Sequence, residues 1–235
     1  VAGAHLDSVP EGPGVNDNGS GSAGLLAVAS ALAGAAAAPG GLGLRNAVRL
    51  CWWAAEEMGL LGSRHYVGTL LEEGGAEDVA LNVNFDMLAS PNWARQVYNG
   101  SDPTNQMPSS VAGSSYIMQR FLGHFESKGL ATMRVAFTGR SDYGPFLEAG
   151  IPAGGLATGA EKLKTMAQRQ LFGGLANVAY DPCYHQPCDD RLNIGWGVFE
   201  DMVDAAGAVI YDLATTPQLR AKLKFPRGAA RRAGA

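Results

Sequence analysis

The stretch Leu50-Cys-Trp-Trp-Ala-Ala-Glu56-Glu57-Met-Gly-Leu-Leu-Gly62-Ser63 constrains the fold more than any other part of this chain. Up to Ala55 it is a short apolar run bounded by turn residues, the pattern of a buried strand. Two carboxylates then stand side by side, followed by Gly59 and Gly62. Acids at the end of a buried strand are costly unless they are paired or bound to a metal. In an open α/β sheet the carboxyl ends of the strands are also where ligands bind. Taken alone, the pair equally suits a helix start, where negative charge meets the helix dipole. The rest of the chain decides between these readings.

At 235 residues the chain can bury one sizeable core, and a single domain over residues 1–215 is expected. The tail 216–235, with Arg227, Arg231 and Arg232, is expected to be disordered. The balance of 18 basic against 22 acidic residues, without a basic stripe carrying interleaved aromatics, argues against a nucleic-acid partner. Ala31–Ala38 is apolar but is followed at once by Pro39-Gly40-Gly41, so no uninterrupted run reaches membrane-spanning length. The first residues, Val1-Ala-Gly-Ala-His5, already read as a strand, so the natural N-terminus is expected to lie upstream and a signal peptide cannot be judged. Cys183 and Cys188 bracket a tight loop, and a bridge between them would suit an oxidising compartment. Cys51, between Leu50 and Trp52, reads as a small buried apolar residue.

Strands and helices alternate along the chain. After the first strand, a Gly/Pro-rich loop leads to Asn16-Asp17-Asn18-Gly19. Ser20 or Ser22 can cap the helix that follows, with Leu25, Leu26, Val28, Ala29 and Leu32 as its apolar face and Pro39 as its stop. Residues 60–71 should be helical, with His65 on the surface. Val79–Leu88 reads as a third strand in which Asn82, Asn84 and Asp86 share one face. A helix over 114–128 carries His124 in a structural role, and a strand over 133–137 leads to Gly139-Arg140-Ser141-Asp142, where Ser141 can cap a short helix. Ile151–Leu156 is another strand. Residues 157–179 show weak periodicity, as loops that shape a site do, and a helix over 196–213 closes the domain. This order predicts a doubly wound α/β fold with a mostly parallel sheet and helices on both faces.

Four acidic or histidine positions fall at strand ends or in turn-rich loops: His5, Asp17, Glu56-Glu57 and Asp86. His185 stands in a late loop. Mixed imidazole and carboxylate donors suit zinc. Two divalent ions would be balanced by Asp17, Glu57, Asp86 and one bridging hydroxide, the pattern of a two-metal hydrolase. Neighbouring side chains diverge, so one of Glu56 and Glu57 should bind metal and the other act as general base. Spacing alone does not say which. Asp7 reads either as an acid orienting His5 or as a simple turn residue.

The segments Ala4-His-Leu-Asp-Ser8, Val15-Asn-Asp-Asn-Gly-Ser-Gly21, Ala55-Glu-Glu-Met-Gly-Leu-Leu-Gly-Ser63, Asn84-Phe-Asp-Met87, Gly139-Arg-Ser-Asp-Tyr-Gly144 and Cys183-Tyr-His-Gln186 together resemble the co-catalytic di-zinc aminopeptidases of peptidase clan MH, metallopeptidase family 28. Among these the chain is most similar to the secreted Streptomyces-type leucine aminopeptidases, and the resemblance runs from about Val1 to Asp212. It implies that His5 and Asp86 bind one zinc, that Glu57 and His185 bind the other, and that Asp17 bridges them. It further implies Glu56 as general base, Tyr184 as a stabiliser of the oxyanion, contact of the Arg140 loop with the substrate N-terminus, and a Cys183–Cys188 disulfide.

The chain departs from the family in three ways. The strands and helices that precede Val1 in the family are absent, Ala157 stands where relatives often carry an aromatic, and the family's calcium site keeps only Glu200 and Asp204 as candidates. The expected activity is removal of large hydrophobic N-terminal residues, with Met87, Ala157 and Phe172 lining the side-chain pocket. The expected partner is the N-terminus of a peptide or protein, with no nucleic acid and no membrane. The expected setting is extracellular and the expected state a monomer. Alternatives are a carboxypeptidase or amidohydrolase of the same clan, a glutaminyl cyclase, and a catalytically silent binding domain on the same fold.

Overall fold

The computed structural model describes residues 1–224 apart from 39, 42, 102–106 and 108–111. Its strands are β1 (Ala2–His5), β2 (Leu50–Trp53), β3 (Asn82–Phe85), β4 (Gln96–Tyr98), β5 (Met133–Val135) and β6 (Ala153–Ala157). They form one sheet in the order β2-β1-β3-β6-β4-β5. All neighbours are parallel except β4 and β6, which run antiparallel. The chain is therefore α/β with a mostly parallel, mixed sheet. The carboxyl ends of β1, β2, β3 and β6 lie together, because each strand returns through a helical crossover.

The helices are α1 (Gly21–Ala37), α2 (Leu61–Glu72), α3 (Ser114–Ser127), α4 (Tyr143–Glu148), α5 (Met166–Phe172), α6 (Trp196–Thr215) and α7 (Leu219–Leu223). Helices α1, α3 and α6 pack together over one face of the sheet, and α2 and α4 meet on the other. The adjacent tryptophans of β2 show why both faces are covered. Successive side chains of a strand point to opposite sides. The Trp52 indole N–H donates to the Ser22 carbonyl at 3.2 Å, on the α1 side. Trp53 packs on Tyr66 of α2 and Phe146 of α4, with ring centroids 5.1 and 6.0 Å away. On α3, Ile117, Phe121 and Phe125 recur every four residues and are fully buried. A large apolar side chain buried in this way contributes about 1.5–3 kcal/mol, and truncating Phe121 to alanine should cost about 3–5 kcal/mol.

Five local expectations are corrected. Neither Ser20 nor Ser22 caps α1: the Ser20 hydroxyl donates to the Asn16 carbonyl at 2.7 Å, and that of Ser22 donates to the His5 carbonyl at 2.6 Å. Ser141 does not cap α4, because its hydroxyl is committed to Asp86. Strand β4 was not anticipated. The loop 157–179 contains α5, opened by a capping box in which the Thr165 hydroxyl accepts from Gln168 N–H and the Gln168 carboxamide accepts from Thr165 N–H. The domain does not stop at 215: α7 buries Leu219 and Leu223 in the main core, so the tail is ordered through that helix. Pro39 and the arginines at 227, 231 and 232 lie outside the described residues.

By length and composition, Val15–Ala37 is one stretch able to cross a membrane. In this fold it begins as the irregular turn Val15–Ser20, whose Asn16, Asp17, Asn18 and Ser20 are buried and polar, and it continues as α1 against the sheet and α6.

Candidate metal centre

At the carboxyl ends of the strands, five donors that are far apart in sequence converge. His5 ends β1. Its Nδ1 lies 3.1 Å from the backbone carbonyl of Asp7, which can only accept, so Nδ1 carries a proton and Nε2 is the nitrogen left to face the clustered carboxylates. That Nε2 is 3.2 Å from Asp17 Oδ1 and 3.4 Å from Asp86 Oδ1. The second oxygen of Asp17 is 3.1 Å from Nε2 of His185, which is also 3.1 Å from Glu57 Oε2. One carboxylate thus offers one oxygen to each of two imidazoles. His185 Nε2 and Glu57 Oε1 are buried and lack a correctly aligned hydrogen bond. Donor atoms that crowd together without bonding one another are arranged to meet a cation between them. Among the described residues, every cluster able to hold a metal is drawn from these five plus Glu56.

Local chemistry fixes each donor. The Asp7 carboxylate accepts the backbone N–H groups of Glu56 and Glu57 at 3.0 and 3.3 Å, which sets the two glutamates after β2. The expectation that this carboxylate orients His5 is only partly met: the Asp7 carbonyl makes the close contact, and the carboxylate stands 3.7 Å away. The Asp17 turn is held by neighbours that sequence reasoning missed. Asp189 accepts the backbone N–H groups of Asn16 and Asp17 at 2.9 and 3.0 Å. The Asn16 amide donates to Asp181 at 2.6 Å, and Asn18 bonds both the Phe85 carbonyl and the Met87 N–H. These bonds tie the turn to the end of β3, beside Asp86. Ser141 donates to Asp86 Oδ2 at 2.5 Å and accepts from the Asn84 amide at 2.8 Å.

Crowding of acids and imidazoles perturbs their protonation. Burial pulls the His5 pKa down, but Asp86 and Asp17 outweigh it and hold it up at about 12. Asp17 is held low: burial opposes this, and the imidazoles of His185 and His5 beside it prevail. Burial, then Asp86, pushes Glu56 up to about 9. Burial, then Asp17, pushes Glu57 up to about 7. Asp142, fully buried and not anticipated as a site residue, is pushed up to about 7 by burial.

Tyr184 and His185 lie on a loop closed by a Cys183–Cys188 disulfide whose Cα atoms are 5.3 Å apart. The Tyr184 ring stacks on His185 at 3.8 Å. Arg140 donates to Glu161 at 2.6 Å and to the Tyr184 hydroxyl at 3.1 Å, so it reaches the rim of the centre. A cleft of about 420 Å³ opens from His5, Asp17, Glu56, Glu57 and Asp86 and includes Met87, Arg140, Ala157 and Tyr184. A larger hollow of about 760 Å³ lies at the opposite ends of the strands, against Val1, Val48, Leu81 and Leu213, away from the clustered donors.

One expected assignment fails. Phe172 does not line the cleft: it is buried at the end of α5 against Trp93, Ala94 and Tyr180. The calcium candidates have other surroundings. Asp204 is 3.0 Å from His124 Nε2 and also pairs with Lys128, and Glu200 sits one turn earlier on α6 without a clustered donor. A cation at Asp204 would have to displace Lys128.

The matching family model, Peptidase family M28, covers residues 1–210. Leucine aminopeptidase 2 of Trichophyton rubrum is 49% identical over 197 residues, covering 84% of this chain and 38% of that protein. An aminopeptidase of Pseudomonas aeruginosa is 46% identical over 211 residues, covering 89% of this chain and 37% of the other. The structure of a zinc aminopeptidase from Bacillus subtilis superposes with a TM-score of 0.69 at 26% identity, covering 99% of this chain and 48% of that one. The chain thus spans less than two fifths of the length of these curated relatives. With the sheet order, the five converging donors and the aligned sequences in agreement, the chain belongs to peptidase family M28.

Proposed function

We propose that this chain is the catalytic part of a zinc aminopeptidase that removes the first residue from peptides at a centre of two zinc ions. The observation that carries the reading is Asp17, whose two oxygens face one imidazole each, His5 on one side and His185 on the other. In this reading His5 and Asp86 would hold one ion, His185 and Glu57 would hold the second, and Asp17 would offer an oxygen to each. Imidazole nitrogen and carboxylate oxygen are donors that zinc accepts. Zinc bound there supplies Lewis acidity and eases the ionisation of water at neutral pH.

The chain's own groups do the rest. Glu56, beside the donors but outside the set assigned to the two ions, takes a proton from the attacking water and passes it to the departing amine. The Tyr184 hydroxyl donates to the substrate carbonyl oxygen as negative charge builds there. Arg140, by donating to the phenol oxygen, leaves the phenol proton free to point at the substrate. The free α-ammonium of the substrate faces Glu56 and the outer oxygen of Asp86, which also accepts from Ser141. An acetylated N-terminus would leave the Glu56 acceptor unpaired, which gives strong discrimination. The side chain of the first residue enters the cleft beside Met87 and Ala157. A disulfide beside His185 fits an extracellular enzyme, which we take to act as a monomer.

The test joins elemental analysis with turnover of leucine and acetyl-leucine p-nitroanilides. Two zinc ions per chain and hydrolysis of the free amine alone are expected. An active sample without bound divalent metal, or comparable turnover of the acetylated compound, would defeat the reading.

A further inference from the structure

The far end of the cleft is a patch of sheet, and its middle residue is polar. On β4, Gln96 and Tyr98 point to the same face and Val97 to the other, by strand alternation. Gln96 stands in register with Ala157 of β6 on one side and Met133 of β5 on the other, and Tyr98 is opposite Val135. Ala157, Met133, Tyr98, Val135, Met87 and Tyr180 all line the cleft and give it apolar walls. The Gln96 residue is only 7% exposed. Its carboxamide makes no hydrogen bond to another described residue and is not shut off from solvent, so its polar atoms face the open cleft.

Neighbouring backbone makes room for this amide. Gly159 has a φ of +101°, and a Cβ there would stand 2.5 Å from the Tyr180 ring and 2.7 Å from Gln96 Nε2. Only glycine therefore fits beside the carboxamide. Ala157, with its single methyl group, leaves the other side open to the cleft. Water bonds this amide while the cleft is empty, and a side chain that fills the cleft and displaces that water leaves the amide unpaired unless it offers a hydrogen bond of its own.

We propose that Gln96 is a specificity-determining residue that selects peptides whose first side chain has an apolar stem and a neutral hydrogen-bonding tip, with N-terminal glutamine as the best fit. The inference rests on the aminopeptidase reading above and refines it: the walls favour apolar groups, and the floor does not. A carboxamide offers donors and an acceptor, and a half-turn exchanges them, so it pairs with another carboxamide through two complementary bonds. A charged tip would lose part of its hydration against Gln96 and its apolar neighbours, which carry no charge of their own. An aliphatic tip of the same shape would leave the Gln96 amide unpaired.

The comparison that isolates this bond uses glutamine and homoleucine p-nitroanilides, because homoleucine is the apolar isostere of glutamine. In the intact zinc-loaded enzyme, kcat/KM for the glutamine substrate should exceed that for homoleucine. Replacing the amide in Gln96→Leu should lower the ratio of the two by about tenfold, the scale of one or two lost neutral hydrogen bonds. The ratio cancels any general loss of activity, and melting temperature and zinc content confirm that the variant is folded. Gln96→Met, unbranched and adaptable, serves if the leucine variant is not. Calorimetric Kd values for free L-glutamine and L-homoleucine should shift in the same sense. Leucine turnover with a glutamine-to-homoleucine ratio that both variants leave unchanged would overturn this inference alone. Failure of the wild-type enzyme to cleave any of these substrates would remove the aminopeptidase reading, and this inference with it.

Discussion

Stripping divalent ions from the centre with a chelator should produce a protein that loses stability as pH rises, the reverse of the usual acid weakness. The reason lies in the protons that the metal-free centre retains. Glu56 titrates at about 9 in the folded chain against an ordinary 4.5, so between those values the folded state holds a proton that the unfolded state has released. His5, raised from 6.5 to about 12, adds a second retained proton above pH 6.5. Glu57 and Asp142, each near 7, contribute in the acidic half of the range. All four groups have raised folded values, so their stabilisation is complete below the unfolded pKa and is lost as pH climbs through the folded one. Asp17 is shifted the other way, and its contribution stays constant across this window because it is ionised in both states.

Each retained proton makes stability fall by about 1.4 kcal/mol per pH unit. Counting Glu56 alone, and taking about 2–4 °C per kcal/mol for a chain of this size, the metal-free melting temperature should drop by about 3–6 °C per unit between pH 5.5 and 8.5. Zinc needs the same donors deprotonated, so its stabilising increment should widen over the same range. Scanning calorimetry in chelator and in zinc, at constant ionic strength, gives both curves. Glu56→Gln should flatten the chelator curve by one proton's slope. A metal-free melting temperature that is level or rises up to pH 8.5 would refute the proton-loaded centre.

Glu56→Gln should retain zinc and lose about 10²–10⁴-fold in kcat, the cost of a general base, whereas Glu57→Gln should lower zinc occupancy; elemental analysis beside kinetics separates them, and the opposite pattern would exchange their roles. Asp189→Ala strips the acceptor from the buried N–H groups of Asn16 and Asp17, so calorimetry should show a loss of about 1–3 kcal/mol for each donor left unpaired, with weaker zinc retention. Thiol labelling of native, active protein without reductant should tag Cys51 at most, since Cys183 and Cys188 are bridged; three labels would exclude the bridge from the active form.

What could be read from the sequence was what local pattern dictates. His5, Glu56-Glu57 and Asp86 each follow a short apolar run, and parallel strands deliver their carboxyl ends to one edge, so strand recognition was enough to gather them. β4 escaped because three residues, Gln96–Tyr98, give too little alternation to register, and its antiparallel pairing with β6 follows no local rule. α7 escaped for a similar reason: the spacing of Leu219 and Leu223 is one helical turn, but it stands in a basic, five-residue segment whose order comes from the core it meets. Phe172 was misplaced because an aromatic in a weakly periodic loop can face either way, and its contacts with Tyr180 and with Trp93 and Ala94, far off in sequence, decide it. The serines were misread by a shared mechanism. Ser20, Ser22 and Ser141 all stand where a cap would form, and all three give their hydroxyls to other partners, with Ser141 reaching Asp86 across 55 positions.

The least legible part of the site is also what lets it bind cations. Buried around the Asp17 turn, Asp181 and Asp189 are satisfied by the amides of Asn16 and Asn193 and by backbone N–H groups. Asp7 is likewise satisfied by the N–H groups of Glu56 and Glu57. Lysine or arginine would be the stronger partner for a buried carboxylate taken alone. At this place, however, a fixed cation would cancel the negative potential that draws a divalent ion. Neutral donors hold the acids in position and leave that potential intact. Arg140, the arginine that reaches the rim, is itself paired to Glu161. Asparagine and main-chain N–H groups give no charge signal in a sequence, and their partners stand up to 173 residues away. The strand-end acids therefore read as a metal centre before the frame that holds them could be read at all.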